Sequence, residues 1–185
     1  MTMIFPQNLL ASAEVELIES YSVNNYLTIT GKEYRRLKRI KPKREIRLRY
    51  DRRYENEIEQ VWQFYIDTQG MYNSFLFIFP FKENWEDELI AIGNFNQGNS
   101  FELPVADFDY IEIIFNYRVI PSSGYTLYKN TNKRSEIALK YSLGEGVLKC
   151  NFDGYPALYM RFAENLNKIV FENMLTTIGI RLVEV

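Results

Sequence analysis

Residues 43–70 read KREIRLRYDRRYENEIEQVWQFYIDTQG, and the spacing of their apolar residues changes once along the way. From Lys43 to Tyr50, Ile46, Leu48 and Tyr50 alternate with Glu45, Arg47 and Arg49. A period of two predicts a strand with one apolar and one charged face. Beyond Tyr54 the pattern changes: Ile58, Val61, Trp62 and Tyr65 recur at helical spacing. Glu55, Glu57 and Glu59 crowd the first turns, where the helix dipole favours negative charge, and Gly70 supplies a stop. The segment predicts one charged strand followed by one helix over 54–69.

The rest of the chain reads as strands. SFLFIFPF (74–81) puts Phe75, Phe77, Phe79 and Phe81 on one side and Leu76 and Ile78 on the other. That is the pattern of a central strand covered on both faces. KENWEDE (82–88) reads as a charged loop, and LIAIGNF, the turn NQGN and SFELP read as a hairpin-like unit. DYIEIIFNYRVIP (109–121) alternates cleanly, with Ile111, Ile113, Phe115, Tyr117 and Val119 on one face. GYTLYKN and SEIALKYSL read as two strands joined at NTNK, and GEGVLKCNF, PALYMRFA and TTIGIRLVEV as three more. Short strands at this spacing predict a mainly β fold, a sandwich or barrel, with one packed helix. No linker or repeat interrupts the chain, so the expectation is a single domain over 1–185. Residues 1–30 are expected to form an N-terminal extension that docks on a neighbour, or an added strand.

Composition narrows the chemistry. The 185 residues include 14 Tyr and 13 Phe, no His and one Cys. Lack of histidine removes the commonest general base and metal ligand. Together with the single cysteine it excludes the usual zinc sites, and it excludes the Ser-His-Asp and Cys-His nucleophiles. The single Cys150, between Leu148 and Phe152 in a strand pattern, reads as a packed core thiol. No segment reaches the ~18 apolar residues of a membrane span, and MTMIFPQNLL lacks the basic start of a secretory signal. The acidic cluster Glu83, Glu86, Asp87 and Glu88 and the pair Asp107 and Asp109 are the carboxylates with acid–base or cation-binding potential. A solvated loop and ordinary turn chemistry outweigh that potential at both. The turn GNFNQGN lacks the lysine of a phosphate cradle. No residue is therefore nominated as catalytic, cofactor-binding or metal-binding, and the expectation is that the chain is not an enzyme. A carbohydrate-active enzyme using two carboxylates is the weakest functional reading.

Charge is distributed unevenly. Lys32 to Arg53 holds twelve Lys/Arg against three acids, an excess of +9, whereas the chain carries −2 and the remainder therefore −11. Three readings compete. A basic face could meet an acidic face of another copy around a ring. It could be a solvated strand face, with Leu37, Ile40, Ile46 and Leu48 interleaved as in a folded segment. Or it could bind phosphates, with Tyr34 and Tyr50 as stacking platforms, in a nucleic-acid-binding β-barrel module using 32–53. A sequence pI near 5.4 disfavours the last.

The order of the segments resembles a family of bacteriophage minor tail proteins, also encoded in the tail clusters of gene transfer agents, where the member is the distal tail protein. The resemblance runs from Tyr34 to Val185. Its pieces are REIRLRYDRRYENEIEQVWQFY, GMYNSFLFIFP, GNFNQGNSFEL, YRVIPSSGYTLYKN, GEGVLKCNFDG, the YMRF of Tyr159–Phe162, and IGIRLVEV. It implies a β-sandwich or split barrel of the tail-tube type with a flanking helix. It also implies a ring of six copies between the tail tube and the hub or tip, assembled in the host cytoplasm and kept in the virion. DNA would traverse the lumen in passage, with no membrane or cofactor involved. In that setting the strand 43–50 is expected to contact a neighbouring subunit, partly by strand pairing. Arg47, Arg49, Arg52 and Arg53 are the interface candidates. An arginine-lined lumen would hold passing DNA through its phosphates, so these side chains are expected to turn away from the channel.

Overall fold

The computed structural model describes residues 3–10, 13–21, 23–27, 29–37, 42–170 and 175–185. The chain is mainly β and divides into two compact units, one of residues 1–75 and 159–185, the other of 76–158. The second is thus inserted into the sequence of the first.

Unit 1 is built around the strand that the alternation predicts. β1 (Glu14–Ser20), β4 (Lys43–Tyr54) and β14 (Leu175–Glu184) lie side by side and antiparallel, with β4 in the middle. Two segments share the far edge of β14: β13 (Asn167–Val170) and residues 160–162 of β12 (Gly144–Phe162). Ile46, Leu48 and Tyr50 are buried, as are Ile178, Ile180 and Leu182 of β14. A helix, α2 (Glu55–Asp67), follows β4 directly, within the span predicted for it. Its Ile58 and Val61 are buried. Phe64 packs edge-on against Phe5 and Phe75, with centroids 5.4 and 5.0 Å away, and Tyr65 packs edge-on against Phe162 at 4.9 Å. This aromatic cluster supplies much of the unit's apolar burial. The helix ends where Gln69 and Gly70 both take positive φ, 56° and 64°. Glycine adopts that conformation without steric cost. A Cβ at Gly70 would also sit 2.9 Å from the Tyr65 hydroxyl.

The first residues are built into this unit. Phe5, Leu9 and Leu10 are buried, the last two on a single helical turn, α1 (Gln7–Leu10), which the spacing does not predict. β1 then runs along β4. Between β1 and β4 lies a hairpin of β2 (Val23–Leu27) and β3 (Glu33–Leu37). Among the described residues these two strands pair only with each other.

Unit 2 contains two sheets. The larger has the order β6 (Glu83–Phe95), β12, β8 (Val105–Phe115), β9 (Arg118–Val119). The smaller has β10 (Tyr125–Tyr128), β11 (Glu136–Leu139) and β7 (Ser100–Glu102). Leu148, Cys150 and Phe152 of β12 point inward with Ile113 of β8 and Trp85 of β6. Cys150 is a buried free thiol. At Gly154 the backbone of β8 comes so close that a Cβ would lie 2.3 Å from the Asp107 carbonyl.

Several sequence expectations change here. KENWEDE is not a loop, because β6 begins at Glu83. Register shifts opposite Leu148/Lys149 and Cys150/Phe152, with Asp87 at φ 60°, break its period of two. Bulges of that kind hide a strand from an alternation test. The hairpin around NQGN does not form: β6 pairs with β12 and β7 with β11. The segment 109–121 is two strands, since Asn116 and Tyr117 take φ of 45° and 67°, as a two-residue hairpin turn requires. Asn116 holds that turn through its side chain, whose Oδ1 accepts from the Val147 N–H at 3.0 Å. GEGVLKCNF and PALYMRFA are one continuous 19-residue strand. β5 (Phe75–Ile78) is buried on both faces, but it is four residues long and Phe81 lies at the surface.

Candidate subunit interface

β4 presents its odd residues on the outer face of unit 1 up to Asp51. Glu45, Arg47 and Arg49 stand there, opposite Ile18, Glu16 and Glu14 of β1 and opposite Val183, Arg181 and Gly179 of β14. Like charges face each other across Arg47 and Arg181, a destabilising juxtaposition unless something bridges it. Glu45 is the bridge. Its Oε1 accepts from Arg47 Nε at 3.0 Å and its Oε2 from the Arg181 guanidinium at 2.7 Å. The hydrogen bond from Arg181 holds the Glu45 carboxyl below its ordinary 4.5, against an opposing push from burial and with further help from Arg47. Arg181 is raised in turn, chiefly by the same bond. Glu16 lies 3.7 Å from Arg47 on the other side.

The acids of β1 match the arginines of β4 in register, Glu14 to Arg49, Glu16 to Arg47 and Glu19 to Arg44. Arg44 is an inward residue, only 4% exposed, and its Nε donates to Glu19 at 2.7 Å. The linear excess of positive charge is therefore not a uniformly basic surface. An open groove of about 720 Å³ on this face is lined by Glu14, Glu16 and Glu164 as well as Arg47, Arg49 and Arg181. Reading β4 alone missed this pairing. The signal lay in EVELIES, whose glutamates can oppose arginines on an antiparallel neighbour.

The four candidate arginines do not share one environment. Arg47 is bound into the ladder. Arg49 is exposed and forms no ion pair among the described residues; beside it, a Cβ on Gly179 would meet nothing within 4 Å. Between Tyr50 and Arg53, two residues of β4 face one of β14, a bulge marked by φ 51° at Arg52. The Arg52 N–H donates to Thr177 Oγ1 at 3.2 Å, and that hydroxyl donates to Asp51 Oδ1 at 2.8 Å. The bulge reverses the parity of the strand. Arg53 consequently pairs in register with the buried Thr176, and its Nε is shielded from solvent. Arg47 and Arg49 thus face outward, Arg52 sits on the bulge, and Arg53 turns to the opposite side.

Strand pairing with a neighbour through 45–49 is excluded, because β1 and β14 occupy both edges there. Contact through this strand would be made by its side chains. Of the two stacking platforms expected for nucleic acid, Tyr34 is exposed, but Tyr50 is buried. Burial pushes the Tyr50 phenol far above its ordinary range, and its hydroxyl has no hydrogen-bond partner among the described residues. The remaining part of the basic stretch, residues 38–41 including Ile40, lies outside the described residues.

Elsewhere the sequence-predicted carboxylates are dispersed. Asp87 pairs with Lys149 at 3.3 Å, Glu88 is buried in β6, Asp109 pairs with Lys82, and Asp107 accepts from the Phe108 N–H at 2.9 Å. Among the described residues no group of three or more carboxylate or thiol side chains gathers as a metal site. No protein-family model and no curated protein matches this chain.

Proposed function

We propose that the chain is a structural virion protein, a distal tail ring subunit that joins a tail tube to a baseplate hub or tail tip and leaves a lumen for DNA. The observation that carries the reading is the order of the tail-like segments along the chain. They fall on the framework elements: REIRLRY on β4, the following helix on α2, SFLFI at β5, the RF pair at the end of β12 and IGIRLVEV on β14. The mainly β composition supports it, and the finer architecture we assign is a sandwich or split barrel of the tail-tube type. Self-association into a ring of six makes the partners further copies, a tube protein and a hub protein, with DNA only in passage. The reading assigns no catalytic role and no cofactor.

Negative-stain images of the purified protein, with its mass measured at several concentrations, test this. Closed rings near six copies are expected. Open, irregular or filamentous assemblies would speak against a ring subunit.

A second reading, nucleic-acid binding through 32–53, draws on the exposed Tyr34 close to Lys32. The glutamates of β1 weigh against it, since they would oppose a phosphate backbone lying along β4. A salt titration of oligonucleotide binding separates the two: a steep loss of affinity with salt favours this second reading.

A further inference from the structure

The β2–β3 hairpin is anomalous. An isolated two-stranded hairpin is marginally stable in water, and this one pairs with no other strand among the described residues. It also displays large apolar side chains where a solvated hairpin would be polar. Tyr26, Leu27 and Tyr34 are more than half exposed, and Ile29 at the turn is fully exposed. Clustered exposure of this kind marks a contact surface. The hairpin is basic as well, with Lys32, Arg35 and Arg36 in the sequence against Glu33 alone.

A fitting counter-surface exists in the same chain. The face of the larger sheet of unit 2 that points away from Leu148, Cys150 and Phe152 carries Val147, Lys149, Asn151 and Asp153 of β12. In register with these lie Ile92 of β6 and Ile114, Glu112 and Tyr110 of β8, with Val119 beside Ile114. One end of this face is apolar, with Ile92 and Val119 more than half exposed. The other end is acidic, with Asp87, Glu112 and Asp153 against Lys149. Asp153 has no ion-pair partner within 4.0 Å among the described residues but acts electrostatically on Lys82, and Glu112 accepts from Tyr110 at 3.3 Å and from Asn151 at 3.1 Å. Unit 2 as a whole holds eleven Asp/Glu against seven Lys/Arg, a net −4. An apolar, basic hairpin and an apolar, acidic sheet face are complementary in both properties.

We propose that residues 21–37 are an arm that docks on the outer face of the β6–β12–β8 sheet of a second copy of this chain. The proposal deepens the ring reading by naming the surfaces, and it rests on that reading only in that the partner is another copy. The apolar tip covers Ile92 and Val119, and the strand β3 lies toward the end that holds Glu112 and Asp153. Such a contact is heterologous, since arm and acceptor are different surfaces, so each copy can both give and receive one.

The test places a benzophenone side chain at position 29 in the full chain and mixes ordinary with 15N-labelled protein before irradiation. Mixed-isotope cross-links to peptides of 84–92, 110–119 or 147–153 are expected. Links confined to one isotope, links to unit 1 of the other copy, or no links at all would overturn the proposal. In parallel, the double variant Leu27→Asp/Ile29→Asp is expected to weaken self-association at least ~10-fold by sedimentation, with melting temperature and circular dichroism unchanged. Unaltered association would also overturn it. The two ideas fail separately. Closed rings without arm cross-links would remove the arm and leave the ring, and arm cross-links in open chains would remove the ring and leave the arm.

Discussion

β4 and the β2–β3 hairpin are cut from the same run of basic sequence, yet they end in opposite circumstances. β4 has a neighbour on each edge, an apolar face in the core, and its outward Arg47 met by Glu16 of β1 and by Glu45. Among the described residues the strands of the hairpin pair only with each other, and Tyr26, Leu27, Ile29 and Tyr34 are exposed. Charge counted along a chain is therefore not charge on a surface. What decides is whether the residues that become neighbours in space carry the opposite sign, as Glu16 and Glu45 do beside Arg47.

The largest expected effect breaks the comparison on stability. Phe162 is fully buried against Phe75 and Tyr65, so Phe162→Ala should cost about 3–5 kcal/mol, read as a shift of the urea midpoint. Leu27→Asp on the hairpin should move the same midpoint by no more than ~0.5 kcal/mol at concentrations where the chain is monomeric. Comparable losses at the two positions would mean that the hairpin is packed into its own unit after all.

A smaller effect concerns the ladder. The Glu45 carboxyl is lowered in the folded chain, first by the Arg181 bond. A depressed carboxylate stabilises the fold above its unfolded value and loses that contribution as pH falls through the folded one. Glu45→Gln should lower the midpoint at neutral pH and flatten the part of the acid-side decline that begins below the ordinary 4.5. A variant whose acid-side decline parallels the parent's would show that the Glu45 bridge contributes nothing.

The smallest effect separates two arginines on one strand. Arg49→Ala should leave stability within ~0.5 kcal/mol, because no acid holds the side chain. Arg47→Ala should cost about 0.2–1 kcal/mol, the range for an exposed ion pair. Reversal of that order would mean that Arg49, not Arg47, is the arginine anchored in the ladder.

These contrasts track what could be read from residues alone. The strand at 43–50 and the helix after it were legible because each repeats its apolar residues without interruption. β6 was not, because a bulge at Asp87 puts Trp85 and Glu88 on the same buried side, three residues apart. β7 reads as the hairpin partner of the nearer strand because local spacing suggests hairpins, whereas it pairs with β11, which lies beyond β8, β9 and β10. The single strand of 144–162 was broken in two by Gly154 and Pro156, which the sheet tolerates at register shifts against β8. At the candidate interface the residue types were legible but not their sides: no local pattern announces the bulge that sends Arg53 to the buried face. The glutamates of β1 were visible throughout, and only the topology shows which arginines they oppose.

The insertion of unit 2 into unit 1 sets an order on synthesis. Residues 76–158 are contiguous and form one compact unit. β4 does not: Asp51 and the Thr177 that bonds to it are 126 residues apart in the chain. Joining segments so distant is slow relative to local pairing, and a growing chain carries β4 long before β14 exists. β1 is already there, so one edge of the strand has its partner early. The other edge stays open until the end, and an open edge is a template for pairing with the wrong chain.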